Sequence, residues 1–317
     1  MKNLSQKAHG LTVQRFGKTI QLFAPLYLSN ECIDTCVYCG FSRTNQIERK
    51  TLTVEEVLKE ADFLIAQGFQ HLLLVSGEHP KKVSADYLVE IAQRLRPKIA
   101  SLNIEVAPFL EKDYRRLAQA GVDGALIYQE TYDRDVYEAV HRGGPKKDYE
   151  QRLRFVEEAC RAGMRTVGLG VLLGLADWRS EIPQLIAHTQ RLMKKYWRCE
   201  FRISLPRLKP CASGYQAPHP VSDEALAEII CRLRLALPEA GLVLSTRERP
   251  ALRDKLLKLG ITHMSAGSRT EPGGYLQPEA AGKQFELEDL RTPAEVAVTI
   301  QQAGYEPVWK DWEGGLS

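Results

Sequence analysis

Eight short apolar runs of strand length punctuate this chain, and helical patterns with their own start and stop signals fill the gaps. The runs read as strands are Gln21–Ser29, His71–Val75, Asn103–Ala107, Ala125–Tyr128, Thr166–Leu172, Phe201–Leu205, Leu242–Ser245 and Thr262–Ser265. Thr53 with Glu56 forms a capping box ahead of an apolar face made by Val54, Val57, Leu58, Ala61, Leu64 and Ile65, and Gly68 stops that helix. Ser222 followed by Asp223 and Glu224 opens another helix, and Thr292, Pro293 and Glu295 open a late one. Strand and helix in regular alternation predict a parallel (β/α)8 barrel, with a doubly wound sheet as the alternative that pattern alone leaves open. The expected organisation is a single domain over 1–317, with 1–20 as a lead-in and 306–317 as a C-terminal tail. An apolar fraction of 44% supplies the core, and a net charge of +3 gives no field that would draw the chain to nucleic acid or a membrane. No apolar run reaches membrane-span length, and the first thirty residues lack the apolar core of a signal peptide.

Cys32, Cys36 and Cys39 stand C-x3-C-x2-C in the loop expected after the first strand. Three thiolates so close in sequence can hold three irons of a cubane [4Fe–4S] cluster, which leaves the fourth iron open to a substrate or cofactor. A disulfide framework is a poor fit, because Cys160, Cys199, Cys211 and Cys231 are scattered through a long chain. Structural zinc wants four ligands in two pairs, and no second pair follows. An oxygen-sensitive cluster belongs in a reducing compartment, so a cytoplasmic protein is expected.

In a barrel of this kind the chemistry sits at the C-terminal ends of the strands. Unusual residues recur there: Ser76, Gly77 and Glu78 after the second run, Glu105 within the third and Glu130 after the fourth. Gly168, Gly170 and Gly174 fall along and after the fifth, and Arg207 follows the sixth. Arg247 follows the seventh, and Ser265 ends the eighth. The C-x3-C-x2-C spacing resembles that of the radical S-adenosylmethionine (SAM) superfamily, and SAM offers an amine, a carboxylate, a ribose and an adenine to such a rim. Ser76 and Gly77 let backbone approach the amine, and Glu78 can add a carboxylate there. Glu130 suits the ribose hydroxyls or the amine, and Arg152 can fork onto the carboxylate. Gly170 and its neighbours leave room for adenine against backbone. Each of these residues also has a plain structural role open to it: ion pair, helix surface or tight packing. Arg207 and Arg247, near Ser245 and Ser265, favour a second acidic ligand such as an amino acid.

The chain resembles the radical SAM superfamily in its cysteine spacing, with an aromatic residue, Tyr38, before the last cysteine. More closely, it resembles the 2-iminoacetate synthase family, the tyrosine lyases of bacterial thiamine biosynthesis. That resemblance runs from about Leu11 to Trp312. It rests on Arg15-Phe16-Gly17, Pro25 to Asn30, the cysteine motif with Gly40-Phe41-Ser42, Arg49 to Leu52, Leu73 to His79 and Tyr128 to Tyr132. It continues through Pro206 to Cys211, Leu244 to Glu248, Ser265-Ala266, Pro272 to Tyr275 and Pro307 to Trp312. The resemblance implies a [4Fe–4S] cluster on Cys32, Cys36 and Cys39, with SAM bound at its open iron. It implies that a 5′-deoxyadenosyl radical takes a hydrogen from the amino group of L-tyrosine, after which the Cα–Cβ bond breaks to give 2-iminoacetate and p-cresol. By position it implies Arg152 for the SAM carboxylate, Arg247 and Ser265 for the substrate carboxylate, and Tyr38 beside SAM and substrate. The implied partners are thiazole synthase and an electron donor such as flavodoxin or ferredoxin.

Two departures set further expectations. Members of this family carry a longer segment before the matched part, so barrel closure and partner docking are the properties most exposed to change. The related maturase of iron-only hydrogenase adds further cysteines at its C-terminal end, whereas here none follows Cys231, so carbon monoxide and cyanide chemistry is not expected. Two other readings stand beside tyrosine cleavage: a radical enzyme acting on another aromatic amino acid such as tryptophan, and a non-catalytic cluster or zinc protein. Glu105, Tyr132, Ser204 and Arg207 are the candidates for choosing the side chain, and Cys211 is either buried or close to the cluster.

Overall fold

The computed structural model describes residues 2–310. The eight expected strands are present as β1 (Thr19–Ser29), β2 (His71–Ser76), β3 (Ser101–Glu105), β4 (Gly124–Leu126), β5 (Thr166–Gly170), β6 (Glu200–Ser204), β7 (Gly241–Leu244) and β8 (His263–Ser265). All pair in parallel with their neighbours, and β1 pairs with both β2 and β8, so the sheet closes. That closure excludes the doubly wound sheet, whose two edges stay open. β2 is buried along its whole length, as a strand covered on both faces must be.

The connecting helices form where the capping chemistry puts them. α1 (Lys2–Phe16) precedes β1, and α2 (Val54–Ala66) begins at the Thr53 capping box. There the Glu56 carboxylate accepts from Thr53 N at 2.8 Å while Glu56 N donates to the Thr53 hydroxyl at 3.3 Å. Val57, Leu58, Ala61 and Leu64 are the buried face of α2, and Gly68 follows it at φ +100°, a backbone region open to glycine. α3 (Ala85–Leu95), α4 (Glu111–Gln119), α5 (Arg134–Val140), α6 (Tyr149–Arg161), α7 (Trp178–Lys195), α8 (Asp223–Ala236) and α9 (Pro250–Leu256) follow between the strands. α10 (Pro293–Gln302) carries the second capping box, on Thr292 and Glu295. The core runs between helices and sheet through residues such as Leu22, Leu72, Leu102, Val167, Ile203 and Leu242, each worth about 1.5–3 kcal/mol of transfer free energy.

Two regions differ from the sequence reading. The lead-in is not a bare segment: α1 buries Ala8 and Thr12, and Phe16 lies under Arg234 with the guanidinium carbon 4.6 Å from the ring centre. The C-terminal tail begins with a ninth strand, β9 (Glu306–Val308), parallel to Thr19–Gln21 at the start of β1. Trp309 then packs on Phe69, and its carbonyl accepts from Gln70 N at 3.1 Å. The rest of the expected tail, 311–317, lies outside the described residues. Among the described residues no helix is long and apolar enough to cross a membrane.

Candidate active site

Asn30 follows β1 and starts the cysteine loop. Its buried side-chain amide donates to the carbonyls of Glu48 and Gly282, while its side-chain oxygen accepts from Lys50 N. Arg49 spreads its guanidinium over four backbone carbonyls, those of Asn30, Phe41, Ser42 and Asn45, at 2.6–3.1 Å. A planar fork with five donors suits this task and a lysine does not. The loop is also stitched to the rim: Ile33 N donates to Glu78 O, Thr35 N to Gly143 O, Val37 N to Val140 O and Gly40 N to Gln284 O, all at 3.0 Å. A Cβ on Gly40 would lie 2.4 Å from the Gln284 carbonyl oxygen, so only glycine allows that approach.

Cys36 is buried, Cys32 and Cys39 are half-buried, and all three are free thiols lining one cavity of about 590 Å³. Ser76, Gly77, Glu78, Glu130 and Arg152 line the same cavity. Burial first, and then the neighbouring thiols and acids, push the Cys32 thiol up to about 12; Cys36 and Cys39 are raised as well, chiefly by burial. Thiols so placed ionise when a cation shares the site. Among the described residues no three His, Cys, Asp or Glu side chains converge on a single ion position. A cubane needs no such convergence, since each thiolate takes a different iron. The donor set therefore fits three cluster irons and is a poor zinc site.

Glu78, Glu130, Lys146 and Arg152 form a closed charge network beside the thiols. Lys146 Nζ lies 2.8 Å from Glu130 and 3.4 Å from Glu78, and Arg152 Nη1 lies 2.8 Å from the same Glu78 oxygen. Arg152 Nε donates to the Tyr128 carbonyl at 2.8 Å. Burial opposes the charge on Glu78, but Arg152 and Lys146 outweigh it and hold the carboxyl below its usual range. Glu130 holds φ +70°, a left-handed conformation that costs a non-glycine residue about 1–3 kcal/mol and concentrates at functional sites. Its carbonyl is fixed there by Leu172 N at 2.8 Å. Asp34, inside the cysteine motif, accepts from Lys146 N at 2.9 Å, and burial followed by Glu78 pushes its carboxyl up to about 6.

Tyr38 is buried, with its hydroxyl 2.8 Å from His141 Nε2. His141 Nδ1 faces the Tyr137 carbonyl at 2.9 Å, and a carbonyl can only accept, so Nδ1 carries the proton and Nε2 accepts from Tyr38. Burial, then the charge of Lys146, push the imidazole down to about 3, which keeps it neutral. Tyr38 is thereby locked between the thiol cavity and a smaller one shared with Arg247.

A second large cavity, about 760 Å³, opens into the barrel mouth beside the first. Its deeper walls are apolar, including Phe23, Leu73, Leu126, Val243 and Leu244, and its rim carries Glu105, Tyr128, Ser204, Arg247, Ser265 and Ser268. Glu105, Tyr128 and Gln284 line both cavities. Arg247 lays its guanidinium on the Phe285 ring, 3.3 Å from the centre, and among the described residues makes no ion pair or hydrogen bond. Ser265 is fixed by Thr246 N, which donates to its hydroxyl at 3.0 Å, and by the buried Arg253–Asp289 pair, whose arginine donates to the Ser265 carbonyl.

The structure brings Cys32, Cys36, Cys39, Tyr38, Ser76, Gly77, Glu78, Glu130 and Arg152 around one cavity, and Arg247 and Ser265 around its neighbour. Three expectations require correction. Arg207 lines neither cavity: it forks onto Glu248, pairs with Asp223 at 3.0 Å and donates to the Val221 carbonyl, which engages four of its five N–H donors within the protein. Tyr132 points away from the mouth and bonds His188 at 2.8 Å. Gly170 lines neither of the two cavities; a Cβ there would meet the Ser204 carbonyl oxygen at 2.5 Å and the Tyr128 ring at 2.9 Å, so glycine admits that ring. Cys211 packs on the cysteine loop, its thiol 3.3 Å from the Tyr38 carbonyl. Sequence reasoning missed Asp34, His141, Lys146 and Gln284. Only Asp34 carried a local signal, an acid inside the cysteine spacing.

The model of the radical SAM superfamily matches residues 26–186, and that of the biotin and thiamin synthesis associated domain matches 204–306. The 2-iminoacetate synthase of Escherichia coli is 42% identical over 317 residues, which is all of this chain and 84% of the relative. The 2-iminoacetate synthase of Salmonella typhimurium is 41% identical over the same length. The X-ray structure of the FeFe-hydrogenase maturase HydG from Carboxydothermus hydrogenoformans superposes with a TM-score of 0.91 at 39% identity, covering 96% of this chain and 71% of the maturase. Thiol loop, charge network and barrel thus agree with the sequence matches, and the chain belongs to the radical SAM superfamily and, within it, to the 2-iminoacetate synthase family.

Proposed function

We infer that the chain is a carbon–carbon lyase that cleaves the Cα–Cβ bond of L-tyrosine to 2-iminoacetate and p-cresol, with SAM converted to 5′-deoxyadenosine and methionine, for thiazole and thiamine synthesis. The observation that carries the reading is the bare Arg247 guanidinium above an apolar cavity that adjoins three free thiols. A half-buried cation without a protein counter-ion awaits an anion, and an aromatic amino acid supplies both the anion and the ring that fills the apolar walls.

Cys32, Cys36 and Cys39 would hold the cluster, and Glu78, Glu130, Lys146 and Arg152 would face the amino, carboxylate and ribose groups of SAM. When loaded, cluster and SAM supply a hydrogen-abstracting radical. What the protein's own residues do is hold, orient and exclude. The Lys146 and Arg152 cations can turn from Glu78 and Glu130 to a carboxylate without a change in net charge, which suits a zwitterion. Tyr38, fixed by neutral His141, and Gln284, whose side chain accepts from the Tyr27 hydroxyl at 2.7 Å, wall the passage between the two cavities. Arg247 and Ser265 orient the substrate carboxylate, and Phe285 covers the mouth. Water kept from this passage cannot quench a radical.

An electron donor such as flavodoxin or ferredoxin, transfer of the imine to thiazole synthase, and a cytoplasmic setting complete the proposal. Both matched models fall within one closed sheet, which supports treating the chain as a single barrel unit. Anaerobic reconstitution with iron, sulfide, SAM, reductant and L-tyrosine is expected to give p-cresol alongside 5′-deoxyadenosine. Formation of 5′-deoxyadenosine with tryptophan or another amino acid, and no p-cresol from tyrosine, overturns it.

A further inference from the structure

We propose that Glu105 binds the α-ammonium group of the substrate and removes one proton from it, so that the amine stands neutral before hydrogen abstraction. This rests on the tyrosine-lyase reading above. Glu105 ends β3, lines both the thiol cavity and the substrate cavity, and also lines the smaller junction cavity that it shares with Tyr38 and Arg247. The nitrogen that gives up a hydrogen must lie at that junction, because the source of the radical is on one side and the substrate on the other. The carboxylate of an amino acid is two bonds from its nitrogen. A carboxylate held by Arg247 therefore leaves the ammonium at the same junction, facing Glu105, which among the described residues is the acid that lines all three of these cavities. The opposite orientation, with Glu105 on the phenol, would send the ring across the polar junction and leave the Phe23–Leu73–Val243 walls unfilled.

The step balances without any outside reagent: the ammonium loses a proton, the Glu105 carboxylate gains it, and no electron moves. The groups facing Glu105 are the Tyr128 hydroxyl, Tyr27, Glu130, Lys146 and Arg247. Burial pushes the Glu105 carboxyl up to about 7, with Glu130 adding to the rise and Tyr128, Arg247 and Lys146 opposing it. A carboxyl poised there gives up its own proton near neutral pH and can take another from a bound ammonium.

The test is equilibrium binding to the cluster-loaded protein with SAM, using L-tyrosine, 3-(4-hydroxyphenyl)propionate, which lacks the amine, and L-phenylalanine, which lacks the phenol. Wild-type protein is expected to prefer tyrosine over the amine-free acid by at least tenfold. Glu105→Gln is expected to erase most of that preference while keeping the preference of tyrosine over phenylalanine. Wild-type affinity for tyrosine falls as pH drops through about 7, and the variant loses that dependence. Glu105→Asp, which keeps the carboxylate, restores part of both effects. Loss of discrimination against phenylalanine instead would put Glu105 on the phenol and overturn the proposal, as would an unchanged ligand ranking. If wild-type protein makes p-cresol but Glu105→Gln keeps its ranking, this proposal fails and the lyase reading stands. If wild-type protein makes no p-cresol, the lyase reading itself fails.

Discussion

Arg207 and Arg247 each follow a barrel strand at the same rim, and sequence offered both as anion clamps, yet their surroundings are opposite. Arg207 is paired twice over: Nε lies 2.9 Å from Glu248, a second bond goes to the same carboxylate, and Nη1 meets Asp223 and the Val221 carbonyl. Arg247 lies on the face of Phe285 and, among the described residues, has no ion pair or hydrogen bond. Burial works against the charge on both. For Arg207 the Glu248 and Asp223 carboxylates outweigh burial and raise the guanidinium above its usual range, whereas for Arg247 burial wins and lowers it. The contrast separates an arginine that completes the fold from one that the fold holds at a cost, which is the mark of a ligand site.

The largest effect expected from this contrast is on stability at the paired site. Arg207→Met leaves Glu248, whose side chain is 3% exposed, with Lys209 Nζ at 3.5 Å as its remaining counter-ion, and is expected to destabilise the protein by about 3 kcal/mol in a urea titration. The double variant Arg207→Met with Glu248→Leu recovers most of that loss, and kcat/KM for tyrosine in the folded protein stays within a few-fold. A tyrosine-binding defect without loss of stability would reverse the assignment. Next in size is the bare site. Arg247→Gln removes hydrogen bonds to a charged ligand and is expected to lower kcat/KM about 10- to 100-fold, equivalent to about 1.5–3 kcal/mol. Its unfolding free energy should move by no more than about 1 kcal/mol, since lost stacking on Phe285 and relief of a desolvated cation offset each other. A loss of several kcal/mol of stability would make Arg247 a structural residue like Arg207.

The same contrast explains what was legible in the sequence. The barrel was, because parallel strands covered on both faces leave apolar runs and their helices leave capping boxes, both local signals. β9 was not: three residues with Pro307 among them resemble a turn, and proline is tolerated because this strand adds to one side of β1 only at its beginning. Lys146 sits in Gly-Gly-Pro-Lys-Lys, which reads as a solvated turn, and becomes a site residue only because Glu78 and Glu130 arrive from two other strand ends. Arg207 was misread for the same reason, since the acid that satisfies it is forty-one positions away. Charge at a strand end announces a rim residue; whether the charge is already paired is decided by contacts distant in the chain.

Ser268 extends the argument to a neutral group and gives the smallest expected effect. Its hydroxyl is buried on the wall of the substrate cavity, close in sequence to Ser265, and among the described residues has no hydrogen-bond partner. An unsatisfied buried hydroxyl costs about 1–3 kcal/mol when no ligand answers it. Ser268→Ala is therefore expected to raise the stability of the ligand-free protein by about 1 kcal/mol while weakening tyrosine binding about fivefold. Ser265, already bonded through Thr246 N, lacks that asymmetry: its alanine variant loses stability as well as affinity. A Ser268→Ala protein that is both less stable and unchanged in tyrosine affinity would place its hydroxyl on the structural side of the divide, with Arg207.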